Sequence, residues 1–165
     1  MSIRKIPEYL RFSHKDLVES DYAPESIINL LENSVTAHLS IVVGGQPHAG
    51  KTELVKYLST KIPHNEKAGV YEDNQEIHYR KINPNKKCVE FFVDDKVTYQ
   101  DIIKAGLRHN IDWILLSESR GPEVAHLLNS LSTGSYCMTT MHLDEVRDMP
   151  VSYTHLRAHE TDSYL

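Results

Sequence analysis

Apolar residues recur at helical spacing in some stretches of the chain and in unbroken runs in others. After Pro24, which suits the first turn of a helix, one broad apolar face is predicted from Ile27, Ile28, Leu30, Leu31 and Val35. An apolar run then predicts a strand over 39–44, and helical spacing returns over 50–61. This part of the chain therefore predicts a helix, a strand and a second helix in that order.

The later patterns continue this alternation. We predict helices near 15–20 and over 99–109 and 122–131, and strands over 69–71, 77–82, 88–93, 113–116 and 137–141. The run 113–116 is apolar throughout, as expected of a central strand covered on both faces. Strands that alternate with helices indicate an α/β fold with a mostly parallel sheet and helices on both of its faces.

A phosphate-binding loop is predicted between the strand over 39–44 and the helix that follows it. Residues 45–52 fit the pattern G-x-x-x-x-G-K-[ST], in which main-chain N–H groups and a helix N-terminus surround phosphate oxygens. Lys51 would reach the β- and γ-phosphates, and the Thr52 hydroxyl would hold Mg²⁺. The predicted nucleotide-binding residues are Gly45, Gln46, Pro47, His48, Ala49, Gly50, Lys51, Thr52 and Glu53. A glycine turn that merely links strand to helix would leave the Lys-Thr pair unexplained.

Acidic residues follow two of the predicted strands. Glu118 stands at the carboxyl end of the run 113–116, where a carboxylate can orient or deprotonate the attacking water, or hold Mg²⁺ through water. The alternative for Glu118 is a solvated strand end, and the phosphate loop in the same chain favours the functional role. Glu72, Asp73 and Glu76 follow the strand over 69–71 and could position Mg²⁺ or water. They could equally form an acidic surface turn.

Basic side chains and a histidine complete the candidates. His142, just after the last predicted strand, could sense a γ-phosphate, although a lone histidine is more often structural. Arg108 and Arg120 could each meet a phosphate or the carboxylate of a neighbouring subunit, or could be solvated.

Composition narrows the class of protein. A formal net charge of −5 over 165 residues argues against direct nucleic-acid binding, which normally needs a basic face. The two cysteines have no partner at metal-ligand spacing. No apolar run approaches the ~20 residues that span a bilayer, and the N-terminus lacks the apolar core of a signal peptide. We therefore expect a cytoplasmic location.

Four ordered motifs together resemble the secretion-system traffic ATPases of type II and type IV secretion and pilus assembly, especially the tight-adherence (Flp) pilus branch. A strand like Ser2-Ile3-Arg4-Lys5 precedes the motor domain in that family, and the phosphate loop matches at 45–52. The other matching positions are the acidic box Glu72, Asp73 and Glu76, the signature Leu107-Arg108, Asp112, Glu118, Arg120, Gly121 and Glu123, and the histidine box Thr133-Gly134 and Thr140-Met141-His142.

The resemblance implies a RecA-like P-loop core that hydrolyses ATP with Mg²⁺. It also implies catalytic roles for Glu118, Glu72 and His142, and it makes Asp73, Glu76, Arg108, Arg120 and Glu123 further site candidates. The intact protein would form a homo-hexamer at the inner face of the cytoplasmic membrane. There it would drive pilin assembly or substrate export through platform proteins of the inner membrane.

The resemblance also implies a division of the chain. Residues 1–23 would be the end of an N-terminal domain or a linker, and residues 24–150 a RecA-like ATPase domain that is truncated at its C-terminus. Residues 151–165 resemble a translated sequencing adapter, and we expect them to be a non-native tail.

Some positions depart from the family pattern. Pro47 removes one main-chain donor from the loop, His48 and Ala49 replace small flexible residues, and Ser135 stands where a histidine usually follows Thr-Gly. These departures leave open an alternative function, that of a catalytically weakened nucleotide-binding subunit with a regulatory or structural role. A small-molecule kinase would need an acceptor site and an arginine-rich lid, and the sequence indicates neither.

Overall fold

The structure is a computed structural model that describes residues 7–117 and 134–143. Its five strands are β1 (Ile41–Gly45), β2 (Lys67–Glu72), β3 (Lys87–Phe92), β4 (Trp113–Leu116) and β5 (Tyr136–His142). Its helices are α1 (His14–Glu19), α2 (Glu25–Thr36), α3 (Lys51–Ser59), α4 (Tyr79–Ile82) and α5 (Tyr99–Gly106), and a 3₁₀ turn over Leu107–His109 follows α5.

The five strands form one sheet in the order β1-β5-β4-β2-β3, and every pair is parallel. The carboxyl ends of all five strands therefore meet at the same edge of the sheet, which we call the carboxyl edge. All four residues of β4 are buried, as expected of the central strand. The predicted α/β class with a parallel sheet is confirmed.

Alternate residues of the central strands pack into two separate apolar clusters. Trp113 and Leu115 of β4 pack in one cluster with residues of α2 and α3. Ile114 and Leu116 pack in the other with Ile102 and Ile103 of α5. Because successive side chains of a strand point to opposite faces, these clusters lie on opposite faces of the sheet, and helices cover both faces as predicted.

The prediction of a strand over 77–82 is wrong. Ile77 and Tyr79 are fully buried, and this spacing imitates the alternation of a strand. The Glu72 carboxylate accepts hydrogen bonds from the N–H groups of Glu76 and Ile77, which turns the chain back after β2. His78 then adopts a left-handed conformation with φ 49°, and α4 begins at the next residue.

The apolar face of α2 is narrower than predicted. Ile28 and Val35 are buried in the core, whereas Ile27 and Leu30 are 44% and 59% exposed. The helix therefore turns only one stripe towards the sheet.

The segment before α2 packs against the same core. Ser13 caps α1 in a capping box with Asp16, and Leu17 of α1 is buried among residues of α2 and α3. The division at residue 23 stays a prediction. The helix predicted over 122–131 lies outside the described residues. Within the described part of the chain, no helix combines the length and the apolar character that crossing a bilayer requires.

Candidate functional site

The predicted phosphate loop connects β1 to α3 at the carboxyl edge of the sheet. Gly45 ends β1, and Gly50, with φ 81°, is the residue that precedes the first turn of α3. Within the loop, the Ala49 N–H donates to the Gln46 carbonyl at 3.3 Å. The loop thus has the strand-to-helix setting in which main-chain N–H groups and a helix N-terminus favour an anion.

The Lys51 side chain folds into this loop and is 7% exposed. Its Nζ donates to the carbonyls of Gly45 and Gln46, each at 2.8 Å. The same Nζ lies 3.2 Å from Nδ1 of His142. The ammonium group therefore lies against the main chain of the loop and beside the imidazole of His142.

His142 reaches the loop because β5 lies beside β1. In the register of this pair, His142 is the partner of Gly45, so the end of one strand adjoins the start of the loop. Lys51 and His142 are 91 residues apart in the chain. The pairing of β1 with β5 thus brings the histidine box next to the phosphate loop.

Glu72 ends β2 at the same edge and is 1% exposed. Its Oε1 accepts hydrogen bonds from the N–H groups of Glu76 and Ile77 at 3.0 and 2.8 Å. Burial raises the pKa of Glu72 to about 7, since the loss of solvation outweighs the stabilising effect of these hydrogen bonds on the carboxylate, and the charges of Glu76 and Glu90 raise it further. A carboxyl group with this pKa can accept or release a proton near neutral pH.

Glu76 connects the acidic box to the loop. The Thr52 hydroxyl donates to Oε2 of Glu76 at 3.3 Å. A hydroxyl and a carboxylate are the hard oxygen ligands that Mg²⁺ prefers, so this pair fits the ion. Residues 7–117 and 134–143 hold no group of three or more His, Cys, Asp or Glu side chains that could bind a metal by themselves. Phosphate oxygens of a nucleotide would therefore have to complete the coordination.

Other predicted residues lie elsewhere. Asp73 is exposed, and its carboxylate accepts a hydrogen bond from the N–H of Asn74. Glu53 turns its carboxylate to Lys56, whose Nζ lies 3.1 Å from Oε1 of Glu53. The candidates Glu118, Arg120 and Glu123 lie outside the described residues, and their roles stay predictions.

Arg108 and Ser135 lie at the amino edge of the sheet, opposite the loop. Arg108 is exposed in the turn before β4, and the next residue, His109, accepts a hydrogen bond from Lys67 at the start of β2. The Ser135 hydroxyl donates to the Ile111 carbonyl just before β5 begins. A phosphate in the loop of the same chain is therefore out of reach of both side chains.

His48, at the tip of the loop, has a left-handed backbone with φ 65°. Glycine adopts this conformation without cost, whereas other residues are strained there by about 1–2 kcal/mol. His48 thus introduces a backbone strain at the tip of the loop that a glycine would avoid.

The sequence patterns do not indicate two contacts between the N-terminal segment and the loop or α3. Lys56 is fully buried and donates to the carbonyl of Pro7, which ties the N-terminal segment to α3. The ring of Tyr22 lies against Gly50. Neither contact has a signal in the sequence, because each joins segments that only the tertiary fold brings together.

Comparison with known proteins gives a consistent result. The family model described as "Type II/IV secretion system protein" matches residues 1–159. An uncharacterised protein of Bacillus anthracis is 29% identical over 150 residues, which are 91% of this chain and 34% of that protein. The type IV secretion system protein VirB11 of Bartonella quintana is 28% identical over 141 residues, which are 80% of this chain and 39% of that protein.

A solved structure has the same fold. The VirB11 ATPase of the Brucella suis type IV secretion system, in complex with sulphate, superposes with a TM-score of 0.69 at 22% identity. The superposition covers 89% of this chain and 48% of that one. The chain therefore spans less than half the length of these relatives. The family match includes residues 151–159, and the interpretation of 151–165 as a non-native tail stays a prediction.

Proposed function

This chain belongs to the type II/IV secretion system protein family, and from that premise we propose that it binds ATP with Mg²⁺ and hydrolyses it as part of a secretion or pilus-assembly motor. One observation carries the proposal. Lys51 and Thr52 stand at the start of α3, and the carboxyl edge brings His142 and Glu76 within 3.2 and 3.3 Å of them. These contacts group an ammonium, a hydroxyl, an imidazole and a carboxylate at one edge of the sheet, which supports a triphosphate site there.

Each side chain has a role in this proposal. Lys51 neutralises charge on the β- and γ-phosphates, and Thr52 and Glu76 hold Mg²⁺. Glu118 orients or deprotonates the attacking water, and Glu72 acts as a proton acceptor beside the site. His142 contacts Lys51 and responds to the state of the γ-phosphate.

The wider setting also belongs to the proposal. We infer a homo-hexamer at the inner face of the cytoplasmic membrane that acts with inner-membrane platform proteins to assemble pilin or export a substrate. Family membership supports this setting, and the resemblance described above favours the tight-adherence pilus branch.

The test is a comparison of binding and turnover in variants. We expect calorimetry to detect Mg²⁺-dependent ATP binding by the protein, and Lys51→Ala to abolish it. Glu118→Gln should retain binding and lower hydrolysis by about a hundredfold or more. Lys96→Ala, at an exposed lysine before α5, is the matched control and should leave both unchanged. Absence of ATP binding by the wild-type protein would refute the proposal.

A second candidate is a nucleotide-binding subunit with little turnover. The left-handed conformation of His48 favours it, because a strained loop tip can hold the γ-phosphate less well. Wild-type protein that binds ATP with Mg²⁺ but hydrolyses it no faster than Glu118→Gln would support this second candidate over the motor.

A further inference from the structure

Tyr22, in the connection between α1 and α2, packs against the phosphate loop. A Cβ atom added to Gly50 would lie 3.2 Å from Cε2 of Tyr22 and 3.8 Å from its hydroxyl oxygen. Gly50 is the last loop residue before α3. The aromatic ring is thus at the rim of the loop, beside the first turn of the helix.

The main chain that carries the ring is fixed by a hydrogen bond, and the ring is partly exposed. The N–H of Tyr22 donates to the Leu17 carbonyl at 3.1 Å, and the preceding residue, Asp21, has a left-handed φ of 58°. The side chain is 40% exposed. Partial burial raises the pKa of its hydroxyl, so the phenol stays protonated and neutral near neutral pH. One part of the ring packs on the loop, and the other part faces solvent.

We propose that Tyr22 forms a wall of the nucleotide site and contacts the nucleoside part of the bound triphosphate. This inference rests on the proposed function. The main-chain amides of the loop and the side chain of Lys51 would bind phosphates, and the hydroxyl of Thr52 would bind the metal. None of these groups distinguishes a nucleotide from inorganic triphosphate. The nucleoside has to leave the loop across its rim. Tyr22 offers an aromatic face and a hydroxyl donor there. An aromatic face stacks on the flat surface of any base, because stacking does not depend on the hydrogen-bonding edge of the base.

The competing explanation is purely structural. Tyr22 could serve only to hold Gly50 in its left-handed conformation, with φ 81°. In that case its loss would distort the loop and weaken the binding of every triphosphate alike. A ligand without a nucleoside separates the two explanations.

The experiment measures the affinities of Mg²⁺-ATP and of Mg²⁺-tripolyphosphate by calorimetry for the wild-type protein and for variants. We expect Tyr22→Ala to weaken ATP binding about tenfold, in line with the loss of one stacking contact, and to change tripolyphosphate binding less than twofold. Tyr22→Phe should keep most of the ATP affinity. Tyr9→Ala is the control, because Tyr9 is also a tyrosine of the N-terminal segment but is 66% exposed.

A further variant tests whether the loss of packing against Gly50, rather than the loss of the aromatic face, weakens ATP binding. Tyr22→Leu fills the space on Gly50 without an aromatic face and should resemble Tyr22→Ala in ligand binding. Equal weakening of both ligands in Tyr22→Ala and Tyr22→Leu, or no weakening of either, overturns this inference while the proposed function stands. Failure of the wild-type protein to bind both ligands overturns the proposed function and this inference together.

Discussion

Lys51 Nζ and His142 Nδ1 lie 3.2 Å apart, which links the start of α3 to the end of β5. An ammonium group can only donate hydrogen bonds, so Nδ1 is the acceptor in this contact. Lys51 also donates to two carbonyls of its own loop. His142 thus helps to fix the position of the loop lysine from a neighbouring strand.

We predict that His142→Ala will lower ATP hydrolysis about tenfold, the equivalent of losing one hydrogen bond to a charged group, while ATP affinity falls less. His142→Asn, whose amide oxygen can still accept from Lys51, should recover part of the rate. Steady-state turnover and calorimetric affinity are the two measurements. His64→Ala, at an exposed histidine in a turn, serves as control. Equal rates for His142→Ala and the wild type would contradict the role given to this contact.

Glu72 should make the protein less stable as the pH rises. Burial raises its folded pKa from 4.5 to about 7, so between these values the folded state retains a proton that the unfolded state releases. The cost is absent below pH 4.5, grows through this window, and reaches about 3 kcal/mol above pH 7. Urea unfolding at pH 5 and pH 8 should therefore show a smaller loss of stability for Glu72→Gln than for the wild type.

Asp73→Asn is the control for this measurement, because the Asp73 carboxylate is exposed next to Glu72. It should unfold with the pH dependence of the wild type. If Glu72→Gln does the same, Glu72 is already ionised in the folded protein at pH 5.

Local patterns in the sequence predict all five strands of the sheet and the loop between β1 and α3. Residues 113–116 are apolar throughout because β4 is covered on both faces, and the G-x-x-x-x-G-K-[ST] pattern marks a local conformation. The strand predicted over 77–82 is wrong because two buried side chains around a turn, Ile77 and Tyr79, have the spacing of a strand. The turn depends on the carboxylate of Glu72, and no pattern within the segment itself indicates that contact.

The candidate site was predictable only in part for a similar reason. Motif positions gave Lys51, Thr52, Glu76 and His142, and the structure brings these four together. Tyr22 has no motif, and its contact with Gly50 depends on how the N-terminal segment packs against α3. Contacts of this kind are determined by tertiary packing rather than by spacing along the chain.

The buried pair of Lys56 and Glu53 should be costly to break. Lys56 is fully buried and bonds Glu53 and the Pro7 carbonyl, and Oε2 of Glu53 is itself buried. Lys56→Met should destabilise the protein by about 3–5 kcal/mol, because it leaves the Glu53 carboxylate buried without its counter-charge. Adding Glu53→Gln should recover part of this loss. Urea unfolding measures both effects.

The control for the buried pair is Lys81→Met. Lys81 pairs with Glu8 at the surface, with side chains 53% and 58% exposed, so we expect a change of about 1 kcal/mol or less. Similar losses for Lys56→Met and Lys81→Met would show that burial does not strengthen the first pair.

Replacing His48 by glycine should stabilise the folded loop. Release from the left-handed conformation stabilises the folded state by about 1–2 kcal/mol, and the greater freedom of glycine in the unfolded chain costs about 0.5–1 kcal/mol. A net gain of up to about 1.5 kcal/mol is therefore expected. His64→Gly is the matched control, because His64 lies in a turn and is not among the residues with positive φ. In that variant no backbone strain is released, and glycine only adds conformational freedom to the unfolded chain. Its free energy of unfolding should therefore fall by about 0.5–1 kcal/mol. Urea midpoints that fall for both variants would mean that the His48 side chain makes contacts worth more than the strain of its backbone.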